Sequence, residues 1–496
     1  MRPLHVHITQ QNQNRERFQK FGMFLVALLA RCSIAGLFLL AAATGSATTT
    51  FKALVNFNGQ NGSTPLRESL VQGTDGNLYG TTEEGGTFGF GSVFKLTPGG
   101  TLTTIYDFTN TPDGAYPRGG LVLGSSGVFF WGTTSQGGAN GLGTFFKITA
   151  VGTLTIVHSF NGTDGEFPPN PCVQGTDGNF YGVTEGAINA PGIHIYGTIF
   201  KITPAGTLTT LHNFCTQADC PDGAYPIGAL VQGSDGTFYG TTNQGGANNL
   251  GTVFSVTSGG TLTTLHSFNG TDGANPQAQP TPEPSLNFYG TTVTGGASNL
   301  GTVFKITSGG TLTTLHSFNG TDGQYPAGEL VKATDGNLYG TTTGAINALG
   351  IHILGTIFKI TPAGFVTTLH NFCSQTGCPD GSYPYGSLVQ RTTGTFFGVT
   401  SAGGSSGLGT AFSLSAGLGA FVETLPTSGA GGAAVIILGT NLAGATSVTF
   451  DGVAAAFKVV SSSEITTTVP TGATTGPVVV VRPSGTLTSN VNFVVP

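Results

Sequence analysis

The sequence predicts an all-β fold: a seven-bladed β-propeller whose N-terminal strand closes the last blade, followed by an immunoglobulin-like β-sandwich. Three observations carry that expectation. Turn formers run through the whole chain, with 81 Gly and 25 Pro among 496 residues, which leaves little room for long helices. Only 8% of residues are charged while 38% are hydrophobic and 10% aromatic, a composition that supplies a large core rather than disorder. A four-residue motif also recurs seven times at a period of 50–58 residues, the range in which four short strands make one repeat.

The first 47 residues are set apart from the fold. Arg15, Arg17 and Lys20 precede an apolar run and the small residues Gly45-Ser46-Ala47, the pattern of a cleaved export signal; an uncleaved membrane anchor is the other reading, although Arg31 in the run is costly in a bilayer. Beyond residue 47 there are 12 basic and 22 acidic residues, a balance that argues against nucleic acid as a partner. No second hydrophobic span occurs, so the mature chain is expected to be a soluble exported monomer.

The repeated tetrad is Tyr79-Gly80-Thr81-Thr82, which returns at Trp131, Tyr181, Tyr239, Tyr289, Tyr339 and Phe397. The interval 181–339 equals the interval 239–397, so a three-unit cassette recurs 158 residues on. Each unit reads as four strands, in the fourth unit 229–232, 237–242, 251–257 and 261–268. Ser234-Asp235-Gly236 makes the first turn, where Gly supplies positive φ. In the last strand Leu262, Thr264, His266 and Phe268 alternate with Leu265, which predicts burial on both faces. A copy of this fourth strand stands alone at 50–57, ahead of any other, and is expected to complete the last blade and remove its open edge.

The phrases 230–242 and Gly301-Thr302-Val303-Phe304-Lys305-Ile306-Thr307, followed by 311–318, resemble the GloVer tandem repeat of exported bacterial proteins over about residues 50–415. That resemblance implies export and brings no biochemical activity with it. Residues 421–496 are similar to an IPT/TIG domain, through Leu425-Pro426-Thr427-Ser428-Gly429, Val435-Ile436-Ile437-Leu438-Gly439, Ser447-Val448-Thr449-Phe450-Asp451-Gly452 and Ile465-Thr466-Thr467-Thr468-Val469-Pro470. The similarity implies an immunoglobulin-like sandwich used as a spacer or adhesion module. The resulting domains are 1–47 (signal), 48–417 (propeller) and 418–496 (sandwich), joined at Gly417–Ala420, a Gly-rich stretch expected to pack against little.

Cys215 and Cys220, like Cys373 and Cys378, form a C-x4-C pair in the loop after a fourth strand. These read as two loop disulfides in an oxidising compartment or as reduced thiols; a zinc site needs about four ligands together, and the pairs lie three units apart. Cys172 occupies the place of Leu230 and reads as a small buried hydrophobe. His158, His212, His266, His316 and His370 share one repeat position, so they are spread around the ring and suit packing or hydrogen bonding rather than a common metal. Asp113, Asp164, Asp222, Asp272, Asp322 and Asp380 head Asp-Gly-x-x-Pro turns, with an acidic ring for cations or sugars as the alternative.

Insertions break the repeat in two units, at 187–195 and 345–353. Their apolar, His-bearing stretches Ile193-His194-Ile195 and Ile351-His352-Ile353 are the candidate binding residues, unless each is a longer hairpin packed on its neighbour. No nucleophile elbow, metal cluster or dinucleotide loop occurs, so neither catalytic residues nor a cofactor are expected. The leading expectation is an exported or cell-surface protein that presents propeller loops to a glycan or protein ligand. A propeller hydrolase or lyase acting on extracellular polysaccharide, and a structural envelope component, are the alternatives.

Overall fold

A computed structural model describes residues 49–496 except 68–69, 189–193, 284, 347–349 and 351. The expected export segment lies outside the described residues. Among them every regular element is a strand, apart from one 3-10 turn at Leu442–Gly444. No described helix is long and apolar enough to cross a membrane.

Residues 50–415 make seven four-stranded antiparallel sheets, numbered by their first strands: Val71–Gln72, Val122–Leu123, Val173–Gln174, Val231–Gln232, Thr281–Pro282, Val331–Lys332 and Val389–Gln390. Sheet 4 continues through Phe238–Thr242, Thr252–Val256 and Leu262–Ser267. First strands are two residues long, shorter than the four expected. Thr50–Asn56 pairs with Thr410–Ser415 and becomes the fourth strand of sheet 7.

The tetrad owes its recurrence to packing. Its Gly lies opposite the third-strand Phe, as Gly240 does opposite Phe254, and a Cβ there would meet the ring at 2.6 Å and Leu230 at 2.8 Å. The aromatic residue before it stacks on the next sheet, Tyr181 on Phe238 at 3.9 Å and Tyr239 on Phe288 at 4.0 Å. The first Thr bonds to the following connection, Thr241 to Ala278 O at 3.1 Å, while the second Thr bonds within its own sheet, Thr242 to Thr252 at 2.8 Å. One tetrad therefore fixes both a strand pair and the spacing to the neighbouring sheet.

Fourth strands differ from the expectation of burial on both faces. They are half-buried, and each carries a β-bulge that interrupts strict alternation: Thr264 opposes Phe254, His266 opposes Val253, and Leu265 is the extra residue. The same shift occurs at Leu54 in the N-terminal strand. Seven apolar clusters hold the sheets, each drawn from two neighbours; Tyr181, Phe238 and Phe254 join sheets 3 and 4. Phe57, Phe94 and Phe397 join sheet 7 to sheet 1.

The C-terminal residues form two packed four-stranded sheets around Val435, Ile437, Phe450, Ile465, Val480 and Phe493. In the stretch before them Gly417, Gly419 and Ala420 are exposed, and its contacts are made by half-buried Leu418 and by Phe421, just beyond it. Leu418 packs with the core of sheets 6 and 7, and the Phe421 N–H donates to Thr392 O at 3.0 Å. Leu438, with half-buried Leu425 and Ile436, joins the cluster of sheets 1 and 2 beside Val71 and Leu123. Ser463 Oγ donates to Thr74 O at 2.7 Å, so the module seats on the end of the sheets that carries the turns between first and second strands.

Candidate functional site

The opposite end of the sheets is built from two kinds of connection, fourth-to-first and second-to-third. They lie side by side in every unit, through isolated bridges such as Ala224 with Gln244 and Ser382 with Ala402. Both insertions and both disulfides, Cys215–Cys220 and Cys373–Cys378, belong to this end. Cys172 is free and buried, and burial pushes its thiol pKa upward.

The insertions are two-stranded hairpins, Ala187–Ile188 with His194–Ile195 and Ala345–Ile346 with His352–Ile353. Ile195 and Ile353 are 5% and 4% exposed, so alternation along the strand turns them inward while His352 faces solvent. Ile193 and Ile351 lie outside the described residues. The apolar character of these stretches is thus partly absorbed by the protein itself.

The repeated histidines and acids meet in pairs within each unit. His266 Nε2 lies 2.9 Å from Asp272 Oδ2, and the other Asp272 oxygen accepts the Asn269 N–H at 2.9 Å. His158–Asp164, His212–Asp222, His316–Asp322 and His370–Asp380 repeat the arrangement, and Tyr106 replaces His beside Asp113. Burial raises the Asp322 pKa, but hydrogen bonds from His316 and the Asn319 N–H outweigh it and hold the carboxyl below its ordinary value. These pairs are turn staples, and no cluster of three or more metal-ligating side chains occurs among the described residues.

The residues that sequence reasoning missed lie where the seven fourth-to-first connections converge. After the shared Pro, four copies place Gly in the second position, at 119, 228, 328 and 386, but the others place Arg67, Asn170 and Ala278. The third position varies too, with Gln279, Glu329 and Ser387 among its occupants. Arg67, Asn170, Gln277, Gln279, Glu329, Tyr385 and Ser387, with small residues between them, line a cavity that opens to solvent. The legible signal was departure from the pattern, Arg where Gly is usual.

Arg67 Nη2 donates to Gln277 Oε1 at 3.1 Å. Burial lowers its pKa, while the charge of Glu185 acts to raise it. Arg118, at the rim, is already engaged: its Nε lies 2.9 Å from Glu83, with Glu185 at 4.0 Å. Burial pushes the Glu329 carboxyl up to about 8, and its nearest described partner is the Gln279 amide at 3.5 Å.

Aromatic residues recur at this end. The residue before the shared Pro is Tyr116, Phe167, Tyr225, Tyr325 or Tyr383 in five copies, and all seven copies hold it at φ between 51° and 57°. This left-handed backbone lets its N–H reach the residue ahead of the third strand, as Tyr225 reaches Tyr196 O at 2.7 Å. Tyr325 and Tyr196 are 37% and 42% exposed, and the Tyr196 ring meets Tyr225 edge-on at 5.3 Å.

A fungal alcohol oxidase, described in complex with copper, is similar over 90% of this chain and 100% of its own, at 12% identity and a TM-score of 0.51. A putative 6-phosphogluconolactonase from Bacteroides uniformis follows at 16% identity and 0.42, over 65% of this chain and 88% of its own. The periplasmic gluconolactonase of Pseudomonas aeruginosa has 14% identity and 0.39, over 69% and 97%. A search of curated proteins finds no match. The IPT/TIG domain model matches residues 422–495. The Gloeobacter/Verrucomicrobia repeat model matches residues 37–254 and 195–412, most of the chain, and the protein therefore belongs to that repeat family.

Proposed function

We propose that this is an exported glycan-binding protein. In this reading residues 1–47 direct export, 48–417 form a seven-bladed propeller closed by its N-terminal strand, and 418–496 form the spacer or attachment module. The sharing of apolar clusters between consecutive sheets, and between sheets 7 and 1, supports the ring. The open end is the binding face, with the hairpins of Ile193–Ile195 and Ile351–Ile353 extending it and His352 as their exposed contact.

The observation that carries the proposal is local. Seven connections built to one pattern diversify where they converge, into guanidinium, amide, carboxyl and phenol groups, and five of them carry an aromatic residue just before the shared Pro. Sugars need both: planar polar groups for their hydroxyls and flat apolar faces for their C–H surfaces. Titration of the secreted protein with a glycan panel tests it. Saturable binding that Tyr325→Ala and Gln277→Ala weaken, with unchanged melting, is the expected result; absence of binding across the panel overturns it.

Glu329 favours a second reading, an enzyme acting on extracellular polysaccharide, because a carboxyl that titrates near neutral pH suits general acid–base work. Hydrolysis of glycosidic bonds generally uses two carboxyls about 5–10 Å apart, and among the described residues the cavity is lined by this one alone. Product formation in the same panel decides between binding and turnover.

A further inference from the structure

We propose that the cavity is a carboxylate subsite that takes an acidic sugar unit, a uronate, from an extracellular polysaccharide. This rests on the glycan-binding reading and narrows it to one ligand chemistry.

Arg67 is the centre of the argument. The other six copies build the same connection with Gly, Asn or Ala at its position, so forming the turn does not require an arginine. Close packing even disfavours a side chain in the other copies: a Cβ on Gly119 would lie 2.4 Å from Pro171, and one on Gly228 2.7 Å from the Ala278 backbone. In the first copy the side chain instead reaches across the ring of connections to Gln277, 210 residues away in sequence. No carboxylate lies within 4 Å of its guanidinium among the described residues, whereas Arg118 is held by Glu83. A guanidinium has five N–H donors in a planar fork, and the contact with Gln277 uses one. What remains matches the two oxygens of a carboxylate.

The surroundings suit the rest of such a unit. Asn170, Gln277 and Gln279 bring amides to the wall, and Ser387 a hydroxyl. Among the described residues the titratable or charged groups lining the cavity are Arg67, Glu329 and Tyr385, with Arg118, Glu83 and Glu185 beyond it. Burial pushes the Glu329 carboxyl up to about 8, which lowers the negative charge it presents to an anion in the cavity. The cavity opens to solvent, so the carboxylate of a terminal unit can reach Arg67 while the rest of the chain stays outside.

The test is calorimetric titration of the full secreted chain with trigalacturonate and triglucuronate, and with the same trisaccharides as methyl esters, which keep every hydroxyl but lose the charge. The acid forms should bind roughly 10- to 100-fold more tightly than the esters, the worth of a charge-assisted hydrogen bond. Arg67→Gly, which installs the residue four other copies use, should bring acid and ester to equal affinity while melting is retained. Equal binding of acid and ester by the unaltered protein overturns the uronate inference and leaves the glycan reading standing. So does an acid preference that survives Arg67→Gly. If no saccharide of any kind binds, both readings fall.

Discussion

Closure of the ring through the N-terminal strand can be tested with an internal control, because every sheet carries an equivalent phenylalanine at the end of its fourth strand. Phe268 ends that strand in sheet 4, is fully buried, and sits 5.4 Å from Phe304 of the next sheet. Phe57 holds the same place in the strand borrowed from the N-terminus, is equally buried, and sits 5.5 Å from Phe94 of sheet 1. Equal burial and equal ring contacts predict equal cost, so Phe57→Ala and Phe268→Ala should each lose about 3–5 kcal/mol. Denaturant unfolding of the whole chain, followed by intrinsic fluorescence and circular dichroism, reads both values. A strand that is only loosely attached would make Phe57→Ala nearly silent, below about 1 kcal/mol, while Phe268→Ala stays costly. That outcome would refute the closure argument. Deleting residues 48–57 is the blunter form of the same experiment and should expose the edge of Thr410–Ser415, with aggregation as the readout.

Other outcomes follow from individual contacts. Replacing Ile436 by Asp should release the C-terminal module from sheets 1 and 2 without unfolding it, because the module's own core uses Val435 and Ile437; brief proteolysis should then cut near Leu418, where the parent chain resists. Gly240→Val should destabilise by at least about 1–3 kcal/mol, since the Phe254 ring leaves no room for a side chain. Glu329 should make stability fall with rising pH: its folded pKa of about 8 exceeds the ordinary 4.5, so between those values the folded state keeps a proton that the unfolded chain has released. The loss should reach at most about 4–5 kcal/mol, less where pocket water solvates the carboxylate, and Glu329→Gln should flatten it in unfolding curves taken at pH 5 and pH 8.

Much of the fold was legible because repetition turns one sequence into seven observations. The displaced copy at 50–57 is meaningful only as a missing fourth strand, and the structure pairs it with Thr410–Ser415. The bulge at Leu265 was not legible, since a two-residue period continues through the sequence whether or not a residue is extruded from the ladder. Docking of the C-terminal module left a trace that could have been read. Val435-Ile436-Ile437-Leu438 is apolar without interruption, where a sandwich strand with one wet face should alternate; Val435 and Ile437 fill the module's core, while Ile436 and Leu438 face the sheets beside it. The cavity was harder, because Arg67, Gln277 and Glu329 are far apart in the chain and only their convergence gives them a common meaning.

The repeat also explains its exceptions, and one of them yields a constructive test. Five sheets pair His with Asp, sheet 1 pairs Tyr106 with Asp113, and sheet 7 has Val55 and Asn61 in the corresponding places. Asn61 still accepts the Asn58 N–H at 2.8 Å, as Asp272 accepts that of Asn269, so the turn-capping half of the role survives without the carboxylate. Donor and acceptor have changed together, as expected if each is costly alone: Asp with no donor leaves a part-buried charge unmatched, and His with no acceptor leaves a ring N–H unmatched. Asn61→Asp and Val55→His should therefore each be neutral or destabilising, while the double variant recovers a coupling of about 1 kcal/mol or more. A double-mutant cycle on thermal and denaturant stability measures it. Additive single effects would mean that the staple is a by-product of the turn; positive coupling would show that the borrowed strand holds the same geometry as the other six.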